Sequence, residues 1–323
     1  MKEKYKNYNK DRIAKDLRNV KIPTRLRDFI HEYSKVGSRK EFIWKWSYKV
    51  VEEITLSSVS VKLEDLYCAK VLLIMLVVLL DDSVDEKKDE ELFHALSNSM
   101  SDPIVPKISR VEVSLLKGKR KQYFNIALKI LTSLINEFKE YPSFDKYIEL
   151  FRFDFMQMVN SMRYANLVSR EPFLMNTKEY FEYFAGNMQG KLSGTVDLMA
   201  SKKIDESELG SIRTILCHSQ VMARIGNWLS TWRRELKDCD YSSVIFPLSV
   251  EKGFFNIENI KKGNLDLSDQ QQAEIKEQLL SIWRSHYDEI SSFRKKIHSI
   301  DVRKFQRGLE NLLQLHLSSE GMK

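Results

Sequence analysis

The run Val71–Leu80, VLLIMLVVLL, ends abruptly in three aspartates, Asp81, Asp82 and Asp85. Such a run reads as an element buried in a core, with the acids beginning where burial stops. Taken back to Cys68, with Lys70 inside it, the run spans about 13 residues, short of the roughly 20 that a membrane crossing needs. On a helix Asp81 and Asp85 lie one turn apart on one face, and Asp82 lies next to that face. Three carboxylates crowded there repel one another unless something positive sits between them. Carboxylate oxygens are hard ligands suited to Mg²⁺ rather than zinc. A solvated, charged helix end is the plain alternative.

The rest of the chain reads as helix. Its 323 residues include 11 Gly and only 6 Pro, which allows long uninterrupted helices, and 43% are hydrophobic, enough for a sizeable core. Apolar residues recur at helical spacing, as in Ile126, Leu128, Ile130, Leu131, Leu134, Ile135 and Phe138 ahead of Pro142. The pattern predicts helices over Arg25–Val36, Glu41–Leu56, Leu63–Glu86, Glu90–Ser99, Lys119–Tyr141, Phe144–Val168, Asn176–Ala200, Asp205–Lys237, Leu267–Ser292 and Ile300–Ser318. Asp238–Leu267 reads as loop-rich. Strand signals are scarce, and there is no glycine fingerprint after a strand, no Walker sequence and no internal repeat. The expectation is all-α: a basic N-terminal arm over residues 1–23, then a single helical bundle domain over 24–323 around a central cavity.

The formal net charge is +7, much of it in the N-terminal segment. That balance permits an anionic ligand, nucleic acid or an acidic membrane surface without choosing among them. Cys68, Cys217 and Cys239 show no CxxC pairing, which fits a reducing cytoplasm and buried thiols. The N-terminus lacks the apolar stretch of a secretory signal. The expectation is a cytoplasmic protein without stable membrane insertion. The six histidines show no ligand spacing and read as structural or surface residues, and KGKRK over Lys117–Lys121 reads as a solvated loop.

A second constellation lies at Arg224–Glu235, RIGNWLSTWRRE. Asn227, Thr231 and Glu235 are spaced by four, so on a helix they form one ladder of carbonyl, hydroxyl and carboxylate oxygens. Arg224 lies one turn before the ladder and Arg234 beside Glu235. Two guanidiniums there suit a phosphate-bearing ligand, because arginine offers a planar fork of donors. A solvated helix face is the alternative. Gly186, Gly190 and Gly194 also recur every four residues, which reads as close helix packing or as a loosened helix lining a pocket.

Together the two constellations resemble the class I terpene synthases. DDSVD matches that family's aspartate-rich motif, and NWLSTWRRE matches its second metal motif in order and spacing, about 145 residues later. The resemblance covers roughly Leu63 to Ser243 by motif placement. It implies ionisation of an allylic prenyl diphosphate, cyclisation of the resulting carbocation, and release of diphosphate. It also implies three Mg²⁺ ions, held by Asp81 and Asp85 with Asp82 supporting, and by Asn227, Thr231 and Glu235. Arg224 and Arg234 would hold diphosphate oxygens. Phe151, Phe155, Tyr180, Tyr183, Phe184 and Trp228 are aromatic candidates to face the cation, with ordinary core as the plainer reading of each one. Homodimerisation is common among similar proteins.

The chain departs from the family at three points. Trp228 stands where an aspartate is usual. The region where a diphosphate-sensing arginine is expected reads YFEYFA over Tyr180–Ala185. The C-terminal Arg-Tyr pair of many microbial members is missing, and neither His286-Tyr287 nor Arg303 and Arg307 replaces it clearly. These departures point toward bacterial enzymes of the diterpene type, with a C20 substrate, geranylgeranyl or a copalyl-type diphosphate. An isoprenyl chain-elongating or head-to-head condensing synthase would carry two aspartate-rich motifs. A basic helical scaffold or nucleic-acid-binding protein would leave the matched ladders unexplained. The reading therefore takes a prenyl diphosphate, and not nucleic acid, as the partner.

Overall fold

The computed structural model describes residues 15–84 and 89–322. In chain order the helices are α1 (Thr24–Ser34), α2 (Glu41–Ile54), α3 (Leu63–Val84), α4 (Glu90–Ser99), α5 (Arg110–Leu115), α6 (Gly118–Phe138), α7 (Phe144–Arg170), α8 (Thr177–Tyr183), α9 (Gly190–Met199), α10 (Leu209–Asp238), α11 (Ile245–Glu251), α12 (Ile257–Lys261), α13 (Asp269–Ser292) and α14 (Val302–Ser318). Among the described residues no strand forms, and Val59 and Ser201 make an isolated antiparallel bridge. No described helix is long and apolar enough to cross a membrane.

The apolar run became the centre of the fold. A helix that is apolar on all sides needs neighbours on all sides, and α3 is buried at most positions from Leu66 to Leu80. It packs between α2 and α6, with α1 and α4 alongside. Around it a ring closes through successive packed pairs: α2 on α3, α3 on α7, α7 on α9, α9 on α10, α10 on α14, and α14 back on α2. Helix α13 lies outside α10 and α14. It starts at a reciprocal cap in which Ser268 and Gln271 satisfy each other's backbone N–H.

The α14–α2 contact depends on one glycine. A Cβ at Gly308 would stand 1.9 Å from the carbonyl oxygen of Glu53. Backbone cannot yield as a side chain can, so Gly308→Ala forces the two helices apart. We expect a loss of about 1–3 kcal/mol, read as a lowered midpoint of thermal unfolding.

Four expectations change. KGKRK, expected as a loop, caps and opens α6, which begins at Gly118. The helix predicted over Asn176–Ala200 is broken. After Tyr183 the chain winds as a 3₁₀ turn over Phe184–Met188, Gln189 takes the left-handed conformation at φ 58°, and α9 begins at Gly190. The glycine stripe has a packing reason: a Cβ at Gly190 would lie 2.9 Å from Gln220 Cα, and one at Gly194 2.5 Å from the Leu216 methyls. So α9 approaches α10 closely, and the break above it is a wall of the cavity. The stretch expected as loop holds the short helices α11 and α12. Of the cysteines only Cys68 is buried, while Cys217 and Cys239 are exposed. Residues 1–14 of the expected arm lie outside the described residues, and Leu17 and Ile22 are buried against the core.

Candidate active site

A cavity of about 1310 Å³, open mouth included, runs down the middle of the ring. Helix α3 contributes Ile74, Val77, Val78 and Asp81, while α10 contributes Leu216, Ser219, Ala223, Arg224, Asn227, Arg234 and Glu235. At the end that holds Asp81 and Glu235 both walls are charged. The two constellations thus meet across one opening.

The ladder on α10 stands as its spacing predicts. Thr231 Oγ lies 2.7 Å from Glu235 Oε1 and 2.8 Å from the Asn227 carbonyl, so its one proton can serve either oxygen. Glu235 Oε2 is buried without a protein partner. Arg224 donates from Nη1 to Asn227 Oδ1 at 2.9 Å and from Nη2 to the carbonyl of Ser242 at 3.1 Å. Its guanidinium lies over the rings of Trp228, at 5.2 Å, and Phe184, at 5.7 Å. Trp228 Nε1 donates to the same Ser242 carbonyl at 2.9 Å. Trp228 therefore fastens the loop after α10 and backs Arg224. Arg234 lines the mouth, partly exposed.

The aspartates of α3 divide. Asp81 borders the cavity. Asp82 is 0% exposed and turns away from it: its Oδ2 accepts from Tyr33 Oη at 2.8 Å and its Oδ1 from Arg39 Nε at 2.8 Å. The expected grouping of Asp82 with the metal-facing acids is corrected accordingly, because its oxygens are engaged on the outer side of α3. Arg39 also reaches Asp81, at 3.7 Å, and supplies positive charge between the two carboxylates. Asp85 lies outside the described residues.

Residues that the sequence did not single out complete the mouth. Asp240 follows Cys239, which takes the left-handed conformation at φ 57°, and the turn sends the Asp240 N–H back to the carbonyl of Glu235 at 2.9 Å. The Asp240 side chain lines the cavity and accepts from the backbone N–H of Ser242. It carries no motif signal, since it falls beyond the helix that held the pattern. Burial, opposed by Arg39 and reinforced by Asp240, raises the pKa of Asp81. Burial and Asp240, opposed by Arg224, push Glu235 up to about 7. Three acids sharing one opening favour a cation among them.

Hard oxygen donors from both walls, with one carboxylate oxygen unpartnered, fit Mg²⁺ chemistry. Among the described residues, no three Asp, Glu, His or Cys side chains converge on one point that could hold a metal ion by themselves. The candidate aromatics Phe151, Phe155, Tyr180, Phe184 and Trp228 are fully buried core residues. Trp46 and Phe305 border the cavity instead, and so does His316, which packs edge-on against Trp46.

No protein-family pattern and no curated protein matches the sequence. Solved structures do match in fold. Isoprene synthase from leaves of the grey poplar, Populus x canescens, in complex with three Mg²⁺ ions and dimethylallyl-S-thiolodiphosphate, matches with a TM-score of 0.63 at 14% identity, over 96% of this chain and 55% of that one. Abietadiene synthase from Abies grandis matches with a TM-score of 0.61 at 13% identity, over 92% of this chain and 37% of that one. The chain thus spans about half, or less, of the length of these plant enzymes. Its architecture is the all-α fold of class I terpenoid synthases.

Proposed function

We propose that this protein is a class I terpene synthase that ionises an allylic prenyl diphosphate, cyclises the carbocation and releases diphosphate. The observation that carries the reading is one cavity whose charged mouth is bordered by Asp81, Asn227 and Glu235, with apolar walls below. In this reading Asp81, Asn227, Thr231 and Glu235 hold Mg²⁺, with Asp85 added on sequence grounds and three ions in all. Mg²⁺, when bound, neutralises charge on the leaving diphosphate. Ligands that stand apart on two walls leave room for diphosphate oxygens between them.

Arg224 and Arg234 hold the leaving group. Arg224 is pre-positioned by Asn227, Ser242 and Trp228, so it loses little on aligning with developing charge. Asp82 supports from behind by holding Arg39 against Asp81. Below, Trp46 and Phe305 border the chamber, where aromatic rings stabilise a cation and apolar walls exclude water from it. The released diphosphate can take the final proton. The absent sensor arginine and C-terminal Arg-Tyr pair support a diterpene-type enzyme with a C20 substrate.

The test is product analysis. Full-length protein with Mg²⁺ is incubated separately with farnesyl, geranylgeranyl and copalyl diphosphate, extracted into solvent and analysed by mass. A cyclic terpene from the C20 substrates supports the full reading, and one from farnesyl diphosphate alone keeps the class and removes the C20 assignment. Unreacted substrate throughout, from folded protein, contradicts the class.

Arg224→Lys checks the arginine separately. Lysine keeps the charge but not the fork that spans Asn227 and Ser242. We expect product formation to fall by about tenfold or more while the fold persists, measured as kcat beside a circular-dichroism melt.

A further inference from the structure

The cavity is polar at both ends. Lys70, Ile74, Val77, Val78 and Asp81 share one face of α3 and all border it. With a rise of about 1.5 Å per residue, Lys70 lies about 16 Å along the helix from Asp81. Its Nζ donates to Asp197 Oδ1 at 2.9 Å, to Asp197 Oδ2 at 3.0 Å and to Thr55 Oγ at 3.0 Å. Asp197 Oδ2 also accepts from the backbone N–H of Leu56 at 3.0 Å. Both charged side chains are 1% exposed. On α9 the cavity is bordered by Ser193 and Gly194, and Asp197 lies one turn further along. The walls from α2, α3 and α9 therefore close on this pair.

All three ammonium protons have acceptors, so the pair offers no free donor to a ligand. Burying two charges is expensive, and apolar residues of similar volume would usually stabilise a core as well or better. Stability alone does not account for the pair. Its distinctive property is fixity. A leucine or methionine floor yields by changing rotamer, whereas Lys70 cannot move without stripping Asp197 of its counter-charge and untying α3 from α9 and from the end of α2.

We infer that the Lys70–Asp197 pair is the rigid floor of the cavity and sets the longest prenyl chain it accepts, the distal end of the chain abutting Lys70. The inference rests on the terpene synthase reading above and names a specificity determinant within it.

The test compares binding of the unreactive farnesyl, geranylgeranyl and geranylfarnesyl thiolodiphosphates to the full chain by calorimetry with Mg²⁺. Removing Lys70 alone would strand a buried carboxylate, so both variants carry Asp197→Asn, which keeps an acceptor for Leu56. Lys70→Ala/Asp197→Asn opens the floor, and Lys70→Met/Asp197→Asn keeps its bulk. We expect affinity in the alanine form to extend to a chain one isoprene unit longer, gaining about tenfold relative to the next shorter chain. The methionine form keeps the wild-type order. Ile74→Phe, which narrows the cavity one turn above the floor, moves the limit one unit shorter and serves if the alanine form does not fold. An unmoved limit in the folded alanine form, or in folded Ile74→Phe if that form is lost, overturns the inference. If wild-type protein binds none of the three, the terpene synthase reading fails and the floor with it; if it binds them and the limit stays, the floor alone fails.

Discussion

Asp81→Ala removes diphosphate release, by at least about 100-fold, and leaves the fold in place; Glu235→Ala does the same from the opposite wall. Asp81 lies at the opening with its side chain 33% exposed, and its closest charged contact, Arg39, is 3.7 Å away. An ion pair that loose and wet contributes about 0–1 kcal/mol, so little stability is lost with it. Glu235 is more buried, but among the described residues its side chain accepts a hydrogen bond from Thr231 alone, which keeps the Asn227 carbonyl as an alternative acceptor. Both carboxylates are also raised in pKa by burial and by Asp240. Removing either relieves that crowding within the folded protein. The check is kcat for diphosphate release beside a thermal melt. A variant that melts normally and turns over at the wild-type rate contradicts the assignment of that carboxylate.

Asp82→Ala behaves in the opposite sense, although the residue is next in sequence and part of the same motif. The carboxylate is fully buried and accepts from Tyr33 and Arg39. Alanine takes away both acceptors and leaves the guanidinium without its closest counter-charge in a largely buried site. Breaking such a pair costs about 3–5 kcal/mol, a fall in Tm of about 5–10 °C for a chain of this size. Asp82→Asn keeps a carbonyl acceptor and loses less. The folded fraction at low temperature keeps turnover reduced only as far as Arg39 shifts, since the residue reaches the site through Arg39. A normal melt for Asp82→Ala with abolished turnover would move Asp82 to the cavity side.

The contrast between these neighbours marks how far the sequence could be read. Periodicity exposed α3 and the α10 ladder, because a buried helix and a polar stripe each leave a pattern within a few turns. It predicted that Asn227, Thr231 and Glu235 share a face, and they do. It could not say which way Asp82 turns, because Tyr33 and Arg39 lie 49 and 43 residues upstream and meet it only through packing. The break at Gln189 was not read, since one helix was expected over Asn176–Ala200. The glycine stripe left close packing and a loosened helix both open, and the close approach of α9 to Gln220 and Leu216 belongs to the assembled ring. The aromatics could not be chosen for the same reason: which face of α7 or α10 meets the cavity is decided by neighbours, and the rings that border it include Trp46, Phe305 and His316. Asp240 lies past the end of its helix, where a left-handed cysteine sets its direction and no periodic signal remains.

In the proposed mechanism the two walls work together on one diphosphate. The most direct measurement is diphosphate release from geranylgeranyl diphosphate by the full-length protein as Mg²⁺ is titrated, repeated after chelation and with Glu235→Ala. The expected release requires Mg²⁺, stops on chelation and is lost in the folded variant. Release that persists with the metal removed, or that Glu235→Ala leaves unchanged, would contradict it.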